Sequence, residues 1–353
     1  MRGERGLPVP LVAYFGPWEE TLARWRREGL GERDWAQAAG FEDGPQHPVP
    51  VSAYLSPLFD EQTLAQDSTC CTVRDKHGVV KRLHRVSESM PQFLRHPLET
   101  RADWCLLKPR LSNPNDPARF LSDWQGWLAE SGTRDSVLFL GMLPCGFFGA
   151  LRELMGLQRA LTSFYDDPAL VEDVLDTLCL LWCNFYPMVL RQVAVDFVFI
   201  WEDMCYRGGL LISPATFRRF LLLRYQKLAG RLRREGVENI HMDSDGDLTQ
   251  LIPLWLEGGI NGAQPLEIAS GLNLPAIAKC YPRLQLVGGI DKRALAAGPE
   301  AINRELAKVP PLLERGRYMP AVDHGVPPDV SWANYCYFAR QLGGILGDID
   351  ERR

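Results

Sequence analysis

From residue 136 onward, short apolar runs alternate with longer amphipathic segments. The runs lie at 137–143, 197–201, 239–243, 259–266, 284–290 and 318–322, and their lengths suit buried strands. Between them, the segment at 168–190 follows Asp166 and Asp167 and carries proline in its first turn, a strong helix start. Ser213 and Pro214 open a second helical segment that runs to about Glu235 and stops at Gly236. Segments at 247–257 and 291–313 read the same way, the latter broken near Gly298 and Pro299. Strands alternating with helices predict a parallel sheet with helical crossovers.

Polar residues close nearly every strand: Cys145, then Glu202 and Asp203, then His241, Asp243 and Asp245, then Glu267, Asp291 with Lys292, and Asp323 with His324. A (β/α)8 TIM-type barrel gathers strand C-termini at one mouth, where its chemistry is done. A doubly wound sheet would instead favour a glycine-rich phosphate loop, and neither G-x-G-x-x-G nor G-x-x-x-x-G-K-[ST] occurs. The expected fold is therefore an α/β barrel forming one domain over 1–353, its core at 136–348. Residues 1–135 read as an N-terminal extension with the first barrel elements. They are rich in Pro, Trp, Arg and His, and include a β-hairpin at 68–85 turning at Lys76, His77 and Gly78. His77 and His84 read as surface residues. Ser89, Met90 and Pro91, then Pro97 and Pro109, punctuate the connection.

Composition narrows the function classes. A chain of 353 residues with 46% hydrophobic and 24% charged residues fits a soluble globular protein. A net charge of −5 argues against a nucleic-acid surface, and the basic residues at 218–234 read as a solvated helix face. No run of 18 apolar residues is free of charge; the most apolar stretch, 174–200, is interrupted by Asp176, Arg191 and Asp196. The start at 1–10 has no signal-peptide core. The expectation is a cytoplasmic protein with no nucleic-acid or membrane partner. Nine cysteines without C-x-x-C read as reduced thiols, with Cys179 and Cys183 one helical turn apart in a buried structural role.

The run I-H-M-D-S-D-G-D at 240–247 concentrates the chemistry. His241, Asp243 and Asp245 share a strand face, and their mutual repulsion calls for a metal, a substrate or a proton-transfer task. Alternatively, the aspartates cap the next helix and His241 is a hydrogen-bonded core residue. With His324, these residues form a candidate metal set. Glu202, Asp203, Glu267, Asp291 and Asp323 are candidate catalytic carboxylates. Cys145 is a loop thiol with no evident activating base. Trp201, Tyr206, Phe147 and Phe148 near the mouth would suit a flat or apolar substrate.

Four motifs then occur in order: W-E-D-M-C-Y-R-G-G-L-L-I-S-P at 201–214, D-S-D-G-D at 243–247, G-G-I-D-K-R-A-L at 288–295 and D-H-G-V-P-P-D-V-S-W-A-N-Y at 323–335. Over roughly 140–346 the chain resembles the uroporphyrinogen decarboxylase superfamily, which holds haem-pathway decarboxylases and zinc- and corrinoid-linked methyltransferases. The resemblance implies a distorted barrel with a deep cleft at the strand C-termini. The start M-R-G-E-R-G-L-P-V-P lacks the R-Q-A-G-R-like run with which the decarboxylases bind substrate carboxylates, so it points to the methyltransferase branch. Those enzymes hold zinc through H-x-C-G and a later cysteine. Aligned on Gly246, Asp243 and Asp245 stand at the His and Cys positions and His324 near the later cysteine, which exchanges soft sulfur for hard oxygen. The resemblance thus implies methyl transfer assisted by zinc or another divalent metal, a small-molecule substrate and a corrinoid on a partner protein. Glu267 or Glu202 would be the base. The alternatives are cofactor-free decarboxylation of a porphyrinogen-type substrate, with Asp243 or Asp245 stabilising a protonated ring, and a non-catalytic tetrapyrrole- or corrinoid-binding protein.

Overall fold

A computed structural model describes residues 9–41, 46–85, 91–133 and 136–352; most of the charged start and Ser89–Met90 lie outside these. The extension contributes β1 (His47–Pro48) and then β2 (Gln62–Gln66), β3 (Cys70–Arg74), β4 (Val80–His84) and β5 (Gln92–Arg95). The barrel region adds β6 (Leu138–Leu140), β7 (Phe197–Trp201), the short ribbon of β8 (Cys205–Tyr206) with β9 (Gly209–Leu210), then β10 (Ile240–Asp243), β11 (Gly262–Gln264), β12 (Gln285–Ile290) and β13 (Tyr318–Val322).

Seven strands form one parallel sheet in the order β1-β6-β7-β10-β11-β12-β13. Within this sheet the strands follow one another in chain order, with β2–β5 and β8–β9 set aside in other sheets, so among the described residues the order never reverses and there is no topological switch point, unlike a doubly wound sheet. The sheet curls into a half-barrel, as a distorted TIM-type barrel requires. Beyond β13 a single parallel bridge, Val326 with Pro17, brings the N-terminal segment alongside.

Burial explains the strand composition. Ile240 and Met242 on β10 are fully buried against the outer helices, while the alternate residues His241 and Asp243 turn into the barrel. Phe139, Phe197 and Phe199 fill the interior beside them, with Phe197 stacked on His241 at 4.8 Å. Gly262 pairs with His241 across β10 and β11, and a Cβ there would lie 2.1 Å from the imidazole. Glycine at this position makes room for the ring.

The expected helices form with local changes. Helix Pro168–Leu190 is capped by Asp167, which accepts from Leu170 N–H. It is long and apolar enough to cross a membrane, but most of it is buried in the core. The segment at 214–234 contains a π-helical stretch, Phe217–Leu222, where one continuous helix was expected. Helix Ile252–Glu257 is shorter than expected, and the 291–313 segment divides into Lys292–Ala297, Pro299–Leu306 and Val309–Arg315. Strand β6 ends at Leu140, because the next residue, Gly141, leaves the extended conformation at φ +104°; glycine is needed there, since a Cβ would be 2.1 Å from the Phe199 carbonyl oxygen. The predicted hairpin is β3–β4, and it belongs to a four-stranded antiparallel sheet, β2-β3-β4-β5.

Gly262→Ala forces a methyl group into the His241 ring. It should destabilise the chain by about 1–3 kcal/mol in urea unfolding, the range for overpacking a filled interior; unchanged stability would mean that His241 moves freely.

Candidate active site

The mouth is organised by a carboxylate that does not face it. Glu202, directly after β7, is fully buried, and its two oxygens accept from the N–H groups of Phe147 (2.6 Å), Phe148 (2.6 Å) and Gly149 (2.9 Å). These are the orphan donors of helix Phe147–Met155, whose positive end favours an anion. Burial pushes the Glu202 carboxyl up to about 8, against the pull of the three N–H donors. The backbone must come close here: a Cβ on Gly146 would lie 1.8 Å from the Trp201 carbonyl oxygen. Glu202 was expected as a catalytic base; both its oxygens are engaged by backbone N–H groups inside the core. Phe147 and Phe148 are likewise core residues, Phe147 packing on Trp182 and Tyr225 and Phe148 on Phe164.

The next residue turns the other way. Asp203 adopts φ +46° and pairs with Arg152 from the same helix, a left-handed conformation that aspartate tolerates better than most residues. The Arg152 guanidinium lies 5.7 Å from the Trp201 ring centre. The N–H groups of Glu202 and Asp203 donate to the Asp243 carbonyl at 2.9 and 3.3 Å, locking the end of β7 to the end of β10. Asp203, Asp243 and Asp245 thereby share one region. Burial raises the Asp243 carboxyl well above its ordinary value, and Asp245 and Asp203 push it further. Asp245 is also raised, by burial first; His324 opposes the rise, while Asp203 and Glu267 add to it. His324 Nε2 is 3.5 Å from Asp245 Oδ2, and its ring stacks on Phe15 at 5.4 Å.

Across the mouth, Lys292 serves two acids, with Nζ 3.4 Å from Glu267 and 4.0 Å from Asp323. Burial works to raise Glu267, but Ser270 Oγ at 2.9 Å, Lys292 and the Gly246 N–H hold it below its ordinary value. Asp323 is fully buried and accepts from the N–H groups of Ile268 (3.0 Å) and Lys292 (3.3 Å), yet burial lifts its carboxyl to about 6.

The structure therefore gathers Asp203, Asp243, Asp245, Glu267, Asp323 and His324, and separates three expected residues from them. Besides Glu202, Asp291 caps helix Lys292–Ala297 and grips the Arg293 guanidinium. The third is His241. Its Nε2 lies 2.7 Å from Gln285 Oε1 and its Nδ1 3.4 Å from Gln264 Oε1. It lines a cavity of about 440 Å3 at the opposite end of the barrel, together with Val137, Asp196 and Asn239, which precede their strands. Burial depresses the imidazole to about 4, so it is neutral. Of the expected set of His241, Asp243, Asp245 and His324, His241 is thus held apart by its glutamine partners, and among the described residues no three His, Cys, Asp or Glu side chains are grouped to hold a metal ion. Cys145 is buried and its thiol pushed up to about 11, the opposite of an activated nucleophile. Arg152 and Tyr14 were missed. No motif marks Arg152 in its helix, and Tyr14, whose hydroxyl is raised by burial and by Asp243, comes from the extension far away in sequence.

A curled parallel sheet with acids, an imidazole and an ammonium at its C-terminal edge defines a member of the (β/α)-barrel class. The sequence model for uroporphyrinogen decarboxylase (URO-D) matches residues 130–341, and the chain belongs to that family. Among solved structures, a methyltransferase from Methanosarcina mazei is similar with a TM-score of 0.60 at 17% identity, covering 97% of this chain and 96% of that one, which shows a shared fold. A B12-independent methionine synthase from a Shewanella species, in complex with selenomethionine, aligns over 99% of this chain and 97% of that one at 12% identity, with a TM-score of 0.42. No curated protein sequence matches the chain.

Two substitutions probe this arrangement. Glu202→Gln replaces an acceptor oxygen by a donor facing backbone N–H groups, and should cost about 1–3 kcal/mol in urea unfolding; a neutral result would mean that the helix is held by other contacts. His324→Gln removes the imidazole that opposes the rise of Asp245, so the Asp245 pKa should rise in a carboxyl-detected NMR titration, and an unmoved or lower value would show that the pair does not form in solution.

Proposed function

We propose that the chain is a methyltransferase-like enzyme. Its mouth takes a small neutral methyl donor and protonates the heteroatom as its bond to the methyl carbon breaks, so that it leaves neutral, while the methyl group passes to a corrinoid on a partner protein. The observation that carries the reading is the juxtaposition of Asp203, Asp243 and Asp245, which together with burial raises the Asp243 carboxyl well above its ordinary value and so favours the protonated form a general acid needs. The neighbouring Asp245–His324 pair is half-exposed and suits return of the proton from solvent. A reduced corrinoid, when bound, supplies the nucleophile for the methyl group. The exposed Met142, Leu143 and Tyr206 beside the mouth leave apolar surface for an approaching partner. The fold shared with a methyltransferase supports the same reading.

Zinc or another divalent metal takes no step in this scheme, because His241 is held by glutamines away from the other three expected ligands. The electrostatics favour a methyl donor over a polycarboxylate substrate. Arg152 is paired with Asp203, and Lys292 with Glu267 and Asp323, so an anionic tetrapyrrole would meet mostly acids.

The test follows cob(I)alamin absorbance with a panel of methylated amines, ethers and thiols. Enzyme-dependent loss of the signal is expected with at least one donor. Asp243→Asn should lower kcat by roughly 10²–10⁴-fold, the contribution of a positioned acid. The wild-type rate should fall as pH rises through the elevated Asp243 pKa, since the acid works only while protonated. Conversion of uroporphyrinogen to coproporphyrinogen would replace this reading with decarboxylation, and corrinoid binding without turnover would replace it with a binding protein.

A further inference from the structure

Helix Pro168–Leu190 and helix Leu223–Arg234 lie side by side, and cross-links fix their register. Arg224 Nη2 lies 2.7 Å from Asp176 Oδ1, and Cys179 Sγ 3.9 Å from the Arg224 carbonyl oxygen. Further along, Arg191 and Arg231 each place Nη2 3.3 Å from Glu235 Oε1. Cys183 falls between these contacts, opposite Lys227 and Arg231, whose charges reach it. Four cations, Arg191, Arg224, Lys227 and Arg231, here stand against the two acids Asp176 and Glu235, so the groove is positive.

Cys179 and Cys183, one turn apart, bring their sulfurs to 3.9 Å. Cys179 is buried, as expected, but Cys183 is partly exposed. In mid-helix the backbone is covered by its own turns, so that exposure belongs mainly to the side chain. The two thiols are unequal. Cys179 is pushed up by the Cys183 contact and by burial, and keeps its proton. Its S–H holds the Cys183 thiol below its ordinary value; burial opposes the fall, and Arg231 and Lys227 add to it. Elsewhere burial pushes the Cys145 and Cys205 thiols up to about 11 and about 12. A thiolate in a partly exposed, electropositive setting is a nucleophile, whereas a buried thiol in apolar surroundings is inert.

We propose that Cys183 is a thiolation site for a small anionic disulfide. The Cys183 thiolate attacks one sulfur of the disulfide. The S–S bond breaks, a mixed S–S bond forms at Cys183, and the other half leaves as a thiolate. The disulfide is reduced and Cys183 oxidised, so no further oxidant enters. Cys179 acts as the hydrogen-bond donor and does not displace the adduct. Cβ atoms one helical turn apart stand about 5–6 Å from each other, beyond the roughly 3.5–4.5 Å of a disulfide. The site is separate from the mouth and does not depend on the chemistry proposed there.

Peptide mass spectrometry of the full chain after limited reaction with dithiodipropionate, a dianionic disulfide, tests the proposal. Cys183 should be labelled ahead of Cys105 and Cys280, although both of those are exposed, and should persist as a mixed disulfide. Hydroxyethyl disulfide, which is neutral and has a similar leaving thiol, should label Cys183 roughly 10-fold more slowly, the lower end of electrostatic steering. Lys227→Gln, an exposed substitution that leaves the fold intact, should slow the anionic reagent more than the neutral one. Cys179→Ala should slow labelling roughly 3- to 10-fold, since loss of the hydrogen bond is partly offset by a more nucleophilic sulfur. Labelling of Cys105 or Cys280 before Cys183, or an unchanged rate in Cys179→Ala, would overturn the proposal. Equal rates with the two reagents would overturn the anionic assignment. Replacement of the adduct by an internal Cys179–Cys183 disulfide would overturn thiolation as its outcome.

Discussion

The grip of the Glu202 carboxylate on three backbone N–H groups is the constraint from which the mouth is built. It pins the start of helix Phe147–Met155 to the end of β7, and that helix then carries Arg152 to Asp203. Without the pin, Asp203 would lack its cationic partner, and the two amides that lock β7 to β10 would have no fixed origin. A buried acid whose oxygens are taken up by backbone amides thus sets the positions of acids that face the cleft. Its proton affinity reflects opposed forces, burial favouring the neutral form and the amide donors the charged one.

Charge at the mouth is unevenly distributed. One side holds Asp203, Asp243 and Asp245 with Arg152 and His324 as counterweights; the other holds Glu267 and Asp323 around Lys292. Acids outnumber cations in this set, and the surplus is greatest around Asp243, the most deeply placed of the first group. Surplus negative charge in a partly dry site is relieved by holding a proton, which makes a carboxyl into a donor rather than a base.

Much of the architecture was legible from residues. Alternation of apolar runs and capped helices fixed the parallel sheet, because strands buried on both faces must be apolar throughout. Details failed where backbone conformation decides: β6 ends before Gly141, which turns to φ +104° at a close approach to Phe199 that only glycine allows, and no local pattern reports that contact. At the site, the two-residue period correctly put His241 and Asp243 on one face but carries no information about depth. His241 lies one layer lower, and Gln264 and Gln285, which claim its nitrogens, come from neighbouring strands. Glu202 and Asp203 are adjacent, and alternation alone cannot say which faces the cleft. Tyr14 and Arg152 were invisible for a different reason, since only the folded chain brings them to β10 and to Asp203.

The glutamine-bound imidazole also bears on tolerance of acid. An unfolded chain takes up a proton at His241 near pH 6.5, while the folded chain refuses it until about 4. Over that interval the unfolded form holds more protons, so acidification through His241 favours unfolding. Asp323 does the reverse: with its carboxyl lifted to about 6, the native state keeps a proton that the unfolded chain releases above its ordinary value near 4. Between roughly pH 4 and 6 the two therefore cancel in proton count. A barrel that stores a neutral base in its floor and a reluctant acid at its rim is, for this pair, buffered against its own titration.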